Sequence, residues 1–318
     1  MPRRKWISKN TLSYYHVMSR TVNGEALFGD REKEVFRKML WQVAEFSGIR
    51  VVTYAVMKNH FHILVEVPPQ GTKVSDSELV RRYRLLYPQP TPWQPMRAEV
   101  LERHLRENLL EGRDLRVDLH RRMHEVSEFL RILKMRFTLW FNRSRERFGP
   151  LWSARFKSVL VEGDRFALRT VAAYIDLNAV RAGLVEDPKD YRFCGYAEAL
   201  AGKRLAREGL AVVDKDMKGY RQTLYGSGSE ERLGKVSISR KEALRVLEKE
   251  KGKLPLWVVL RCRVRYFSDG MVLGSDAFVT DCLAGEPEGV RRKKPHPIRG
   301  ADWKGLTVGT GLRSKVFG

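Results

Sequence analysis

Cysteine is scarce, with Cys194, Cys262 and Cys282 the three thiols in 318 residues. Three cannot all pair within one chain. None stands in a C-x-x-C or close Cys/His set, so a disulfide framework and a zinc finger are excluded and a reducing compartment is implied. No stretch approaches the roughly 18 uninterrupted apolar residues of a membrane-spanning helix. The N-terminal MPRRKWISKN lacks the apolar segment of a signal peptide, so the expected location is the cytoplasm. No internal repeat of fixed period is present. Acidic residues are outnumbered, 38 Asp+Glu against 60 Lys+Arg, a formal charge of +22. With 43% hydrophobic and 10% aromatic residues, there is enough apolar material for a packed core in one or two domains, which excludes a disordered basic tail protein. Such an excess of cations calls for a polyanion. Nucleic acid leads, with an anionic membrane surface as the weaker alternative.

The charge is concentrated. Residues 131–157 hold Arg131, Lys134, Arg136, Arg143, Arg145, Arg147, Arg155 and Lys157 against the single acid Glu146. Phe137, Trp140, Phe141, Phe148, Trp152 and Phe156 are threaded among them, and cations with stacking rings suit single-stranded nucleic acid. The helical spacing of Leu130, Leu133, Phe137 and Phe141 equally marks a core stripe, with the arginines as the wet face.

Tyr14–Arg20 alternates as a first strand and Asp30 caps a helix that ends at Gly48. Ile49–Met57 and Phe61–Val67 form a hairpin around Lys58-Asn59-His60. Residues 70–124, with Pro88, Pro90, Pro92 and Pro95 between charge-rich helical pieces, have the texture of an insertion or lid. Ser127 starts a long basic helix to about Phe148, Phe156–Val161 is a strand, and Asp164 caps a helix through Val180. One sheet with helices packed on it follows, α+β or α/β. Beyond residue 201 we expect a linker at Gly226–Ser229, a polar helix at Ser239–Lys251, strands at Leu256–Tyr266 and Met271–Val279, and a basic, loosely ordered tail from Arg291.

His60 and His62 at i and i+2 of a strand share one face, which makes half a metal site or simply an exposed pair of histidines. Tyr174 and Asn178 stand at i and i+4 on one helical face, and an amide oxygen can serve as a third ligand. Tyr174 alone reads equally as an amphipathic core residue. His16 reads as structural, and His120 with His124 at i, i+4 is a weaker metal pair.

Four ordered segments, YYHVMSR, YAVMKNHFHILVEV, GPLWSARFKSVLVE and AAYIDLNAVRAGLVEDPKDYRF, together resemble the single-tyrosine HUH transposases, most closely the REP-associated tyrosine transposases of bacteria. The resemblance covers residues 5–200. It implies an α+β, ferredoxin-like antiparallel sheet with helices on one face, in a transposase domain over 1–200 interrupted by the insertion, with 201–318 as an accessory region. It further implies Tyr174 as a nucleophile that cleaves and rejoins single-stranded, hairpin-bearing DNA through a 5′-phosphotyrosine. His60, His62 and Asn178 would hold Mg²⁺ or Mn²⁺, and Arg20, Lys58, Arg143, Arg155 and Lys157 are the candidate DNA contacts. The implied location is cytoplasmic and associated with the nucleoid, with no membrane partner, as monomer or homodimer. This chain has Asn178-Ala179-Val180 where many relatives have Asn-Pro-Val, and residues 70–124 exceed the usual connector. Two other readings stay open: a hairpin-binding descendant that does not cleave, and a metal-dependent hydrolase in which water attacks.

Overall fold

The computed structural model describes residues 11–92, 94–226, 239–284, 294–309 and 316–318. In chain order the elements are β1 (Ser13–Arg20), α1 (Asp30–Ser47), β2 (Arg50–Val56), β3 (His60–Val67), α2 (Asp76–Leu86), α3 (Ala98–Arg106), α4 (Leu110–Arg121), α5 (Val126–Ser144), β4 (Lys157–Val161), α6 (Arg165–Asp176) and α7 (Asn178–Arg181). There follow α8 (Gly195–Leu200), α9 (Arg204–Leu210), α10 (Lys218–Tyr225), α11 (Arg240–Leu244), α12 (Leu256–Leu260), α13 (Tyr266–Asp269), β5 (Val272–Gly274), α14 (Asp276–Ala284), β6 (His296–Pro297) and β7 (Thr307–Val308).

The first four strands run in the order β2-β3-β1-β4 within a seven-stranded sheet that continues β5-β7-β6. All pairings in the first four are antiparallel. Strand, helix, hairpin, helix, strand in that order is the ferredoxin-like arrangement. Its crossover helices α1 and α5 share one face: Phe36 of α1 packs on Phe61 of β3 at 4.9 Å between ring centroids, and Phe137 of α5 on Phe36 at 5.1 Å. The opposite face is covered too. Thr53 of β2 donates to Asp176 of α6 at 2.8 Å, so helices lie on both faces where one was expected. Both parities of β3 are apolar enough to demand cover, and the strand is buried from Phe61 to Val67.

Phe137 and Phe141 are core residues, as their spacing indicates, while Phe148 is 94% exposed. Glu125, not Ser127, caps α5, its carboxylate accepting from Glu128 N at 2.5 Å, and the helix ends at Ser144. Gly29 holds the cap position of α1, with Asp30 its first residue. Segment 70–124 is packed rather than lid-like, burying Leu79, Tyr83, Leu101 and Leu119. Within the apolar run 256–266, Leu256–Leu260 forms α12 and Val264 makes a single bridge to Phe317, so no strand forms there. Residues 271–279 split into β5 and the start of α14, because β5 pairs parallel to β4 for two positions and Asp276 then begins a helix. The expected tail contributes β6 and β7 to the sheet. Residues 227–229 of the expected linker, 291–293 and 310–315 of the tail, and the N-terminal 1–10 lie outside the described residues. Among the described residues, no helix is long and apolar enough to cross a membrane.

Candidate active site

Cross-strand register decides which side chains meet. Met18 stands opposite His62 and Arg20 opposite His60 between β1 and β3, while Met18 stands opposite Lys157 between β1 and β4. Opposed residues share a face, so His16, Arg20, His60, His62 and Lys157 all project from the side covered by α6. Asp164 fixes the start of that helix by accepting from Phe166 N and Ala167 N at 2.8 and 2.9 Å. Ala167, Ala172 and Ala173 are fully buried in α6, and such small side chains let the helix lie close to its neighbours. Nearly three turns beyond the cap, Tyr174 comes within 6.3 Å of both His62 and His16 between ring centroids, edge to face. α6 closes at Leu177, and Asn178 opens the single turn α7.

Arg20, His60, His62, Lys157, Tyr174 and Asn178 line a cleft of about 460 Å³ formed by β1, β3, α6, α7 and the segments around Ser153, Arg240, Arg263 and Ser268, with His16 buried behind it. Its basic members are Arg20, Arg155, Lys157, Arg181, Arg240 and Arg263, and no carboxylate lines it among the described residues. Of the candidate DNA contacts, Arg20, Arg155 and Lys157 meet here. Lys58 and Arg143 are exposed elsewhere. Lys157 is not a bare cation, since its Nζ pairs with Asp269 at 2.7 Å. Glu66, on the histidines' face, is taken up by Tyr14 and Arg50 at the far end of the strand. Asp176 is buried between Thr53, the Tyr196 amide and the Tyr220 hydroxyl, turned away from Tyr174. A wider depression of about 810 Å³ beside His120 and Arg131 contains none of these residues.

Burial sets the electrostatics. It lowers His60 to about 4, helped by the charge of Arg20, and holds His62 well below the ordinary imidazole value, helped by His16 and His60. Both imidazoles are therefore neutral at neutral pH and carry a lone pair for a Lewis acid. Asn178 lines the same cleft as His60 and His62, and the two imidazole rings lie 5.2 Å apart at 89°. Two imidazoles and an amide thus converge. Among the described residues no group of three His, Cys, Asp or Glu side chains could hold a metal, so any cation here relies on the amide as third donor.

Several participants carried no local signal in the sequence. Arg181 places its guanidinium over the Tyr174 ring, and His16 hydrogen-bonds to His62. Phe267 of α13, in the region expected to be accessory, packs on Tyr174 at 4.9 Å. Arg181 does fall within the last of the four family-like segments.

Fold and site define a ferredoxin-like α+β protein with paired histidines and a tyrosine in a cationic cleft. Residues 9–85 match the family of IS200-like transposases. That stretch spans β1 to α2 and includes both histidines, but ends before Tyr174. Among solved structures, a REP-associated tyrosine transposase bound to a REP hairpin is similar, at 14% identity and a TM-score of 0.38, covering 75% of this chain and 99% of that one. No curated protein matches.

Proposed function

We propose that this protein is a transposase that cuts and rejoins single-stranded DNA at hairpin-bearing sequences, with Tyr174 as the nucleophile. The observation that carries this is the meeting of Tyr174 with His62, from distant parts of one chain, at 6.3 Å in a cleft walled by cations. The family match over the histidine strand and the ordered motifs of the sequence support the same reading.

In this reading the Tyr174 oxygen attacks the scissile phosphorus in line. The bond from phosphorus to the 3′-oxygen breaks, the phenolic proton is lost, and the departing oxygen gains one to become a 3′-hydroxyl. A later 3′-hydroxyl attacks the phosphotyrosine and expels the phenolate, so strand joining needs no external energy source. Tyrosine is a modest nucleophile but a good leaving group, which suits a reversible transfer. His60, His62 and Asn178 would hold Mg²⁺ or Mn²⁺, for which neutral imidazoles and an amide oxygen are suitable donors. When bound, the cation polarises the scissile phosphate. Arg20 and Arg155 hold the flanking phosphates, and the buried ring of Tyr174 is fixed between Phe267 and Arg181 before the strand arrives.

The test is incubation of the full chain with end-labelled hairpin DNA and Mn²⁺, followed by a denaturing gel. A covalent protein–DNA adduct that Tyr174→Phe abolishes is expected. An adduct formed equally by Tyr174→Phe overturns the assignment. Cleavage without adduct that survives Tyr174→Phe would show water to be the nucleophile, and binding without cleavage under any divalent ion would show a hairpin-binding protein.

A further inference from the structure

His16 lies at the centre of a hydrogen-bonded chain that runs over one face of the sheet from α13 to β3. Its Nδ1 is 2.8 Å from the carbonyl oxygen of Phe267, and its Nε2 is 2.9 Å from Nδ1 of His62. It is fully buried, and His62 is 7% exposed. A carbonyl oxygen can only accept, so His16 Nδ1 carries the proton of that bond. A neutral imidazole has one proton. Its Nε2 is then an acceptor, and the bond to His62 requires a proton on His62 Nδ1. The neutral His62 ring is left with an unprotonated Nε2.

The reverse arrangement fails. A proton on His16 Nε2 would leave its Nδ1 lone pair facing the Phe267 lone pairs at 2.8 Å. A doubly protonated His16 would be a cation shut off from solvent with no carboxylate bonded to either ring nitrogen, its two partners being the Phe267 carbonyl and the His62 ring. His60 is oriented in the same sense, its Nδ1 standing 2.7 Å from the Asn59 amide oxygen.

We infer that His16 is a positioning residue that transmits the Phe267 carbonyl to His62 and fixes the tautomer in which His62 Nε2 is a bare ligand atom. The inference rests on the reading of His60, His62 and Asn178 as the cation ligands. Metal-bound histidines commonly have the second ring nitrogen tied in this way, and loss of the tie weakens metal affinity about 10–100-fold. Here the anchor comes from α13, far outside the family-like residues 9–85.

Glutamine is the discriminating substitution. Its amide nitrogen can donate to Phe267 O while its oxygen accepts from His62 Nδ1, which keeps the polarity of the chain; leucine breaks both bonds. The full chain, ¹⁵N-labelled at histidine, is examined by long-range ¹H–¹⁵N correlation, and Mn²⁺ binding is titrated by the loss of the free-ion EPR signal without DNA. In the parent and in His16→Gln, His62 should be protonated at Nδ1, with Mn²⁺ affinities within about threefold of each other. His16→Leu should lose at least about tenfold in Mn²⁺ affinity and show His62 in mixed tautomers. The inference is overturned if His62 of the parent carries its proton on Nε2, or if His16→Leu binds Mn²⁺ as the parent does. Should His16→Leu fail to fold, the parent tautomer and the His16→Gln affinity decide. Neither readout involves DNA, so a protein with the stated tautomer and Mn²⁺ affinity that forms no adduct would refute the strand-transfer reading and leave the role of His16 intact.

Discussion

Arg181 stacks on Tyr174, its guanidinium carbon 3.9 Å from the ring centroid. The arginine is held by donating from Nη1 to the Leu260 carbonyl at 2.9 Å, and burial lowers its pKa. No ion pair to a carboxylate is formed by it among the described residues. A partly buried cation without a carboxylate is costly, and it becomes favourable when a neighbour turns negative. In the proposed strand transfer the phenolic oxygen of Tyr174 would do so twice, when it gives up its proton to attack phosphorus and when it is expelled again. Arg181→Gln should therefore slow single-turnover adduct formation on the order of tenfold or more, while hairpin affinity measured in the Tyr174→Phe background changes less. Arg181→Lys should fall between, because an ammonium does not stack flat. Unchanged rates in Arg181→Gln would remove this role.

Asp176 ties α6 to β2, and its stability contribution depends on pH. Burial raises it to about 7 against the hydrogen bonds from Tyr220, Thr53 and Tyr196. A raised carboxyl stabilises the fold while protonated, so its contribution is complete below about 4 and is lost as pH rises through about 7. Asp176→Asn keeps acceptors for Thr53 and the Tyr196 amide and has no proton to lose. Its melting temperature should rise relative to the parent between pH 4 and 8, and parallel curves would show that Asp176 does not titrate there.

The buried imidazoles work in the opposite direction. His16 is lowered to about 3 and His60 to about 4, chiefly by burial, with His62 lowered too. Their contribution is complete above the ordinary value of about 6.5 and is lost as pH falls through about 4. Acid unfolding between those limits should be less steep in His60→Asn than in the parent, as read by circular dichroism.

Gly209 lets α9 lie against β2. A Cβ there would run into the carbonyl oxygens of Val51 and Val52, which are backbone and cannot swing aside. Gly209→Ala should destabilise the protein by about 1–3 kcal/mol, seen as a lower denaturation midpoint.

Cleft cations should count in the salt dependence of DNA binding. Arg20→Gln or Arg155→Gln should each reduce the slope of log affinity against log salt by about 1. Lys58→Gln and Arg143→Gln, outside the cleft, should leave the slope unchanged. Equal slopes for all four variants would place the strand elsewhere.

What could be read from the chain follows a physical division. β1, α1, the β2–β3 hairpin and the Asp164 cap of α6 show in local periodicity and cap chemistry, which need only a few neighbouring residues. The order of those elements was enough for one sheet with helices packed on it, the ferredoxin-like form of that sheet came from the family resemblance, and the i, i+2 spacing of His60 and His62 placed both on one face. The apolar run 256–266 was ambiguous because a short buried helix and a buried strand share its composition. The partners of His16 and Tyr174 had no local signature. Phe267 reaches His16 across 251 positions and Asp269 reaches Lys157 across 112, and only tertiary packing creates such pairs. Arg181 was visible as a residue of a family-like segment, but its stacking on Tyr174 depends on the turn at Leu177.

The link between His16 and Phe267 bears on how the chain is made. A ribosome releases β1 to β3 long before α13, and parallel pairing of β4 with β5 must wait for residues 272 and 273. Between the synthesis of residue 176 and that of residue 267 the tyrosine helix and the histidine strand exist without the carbonyl that orients His16 and the ring that clamps Tyr174. A chain terminated before residue 267 would thus carry Tyr174 and the histidine pair without their complete setting, and the cleft is assembled only after α13 has been made.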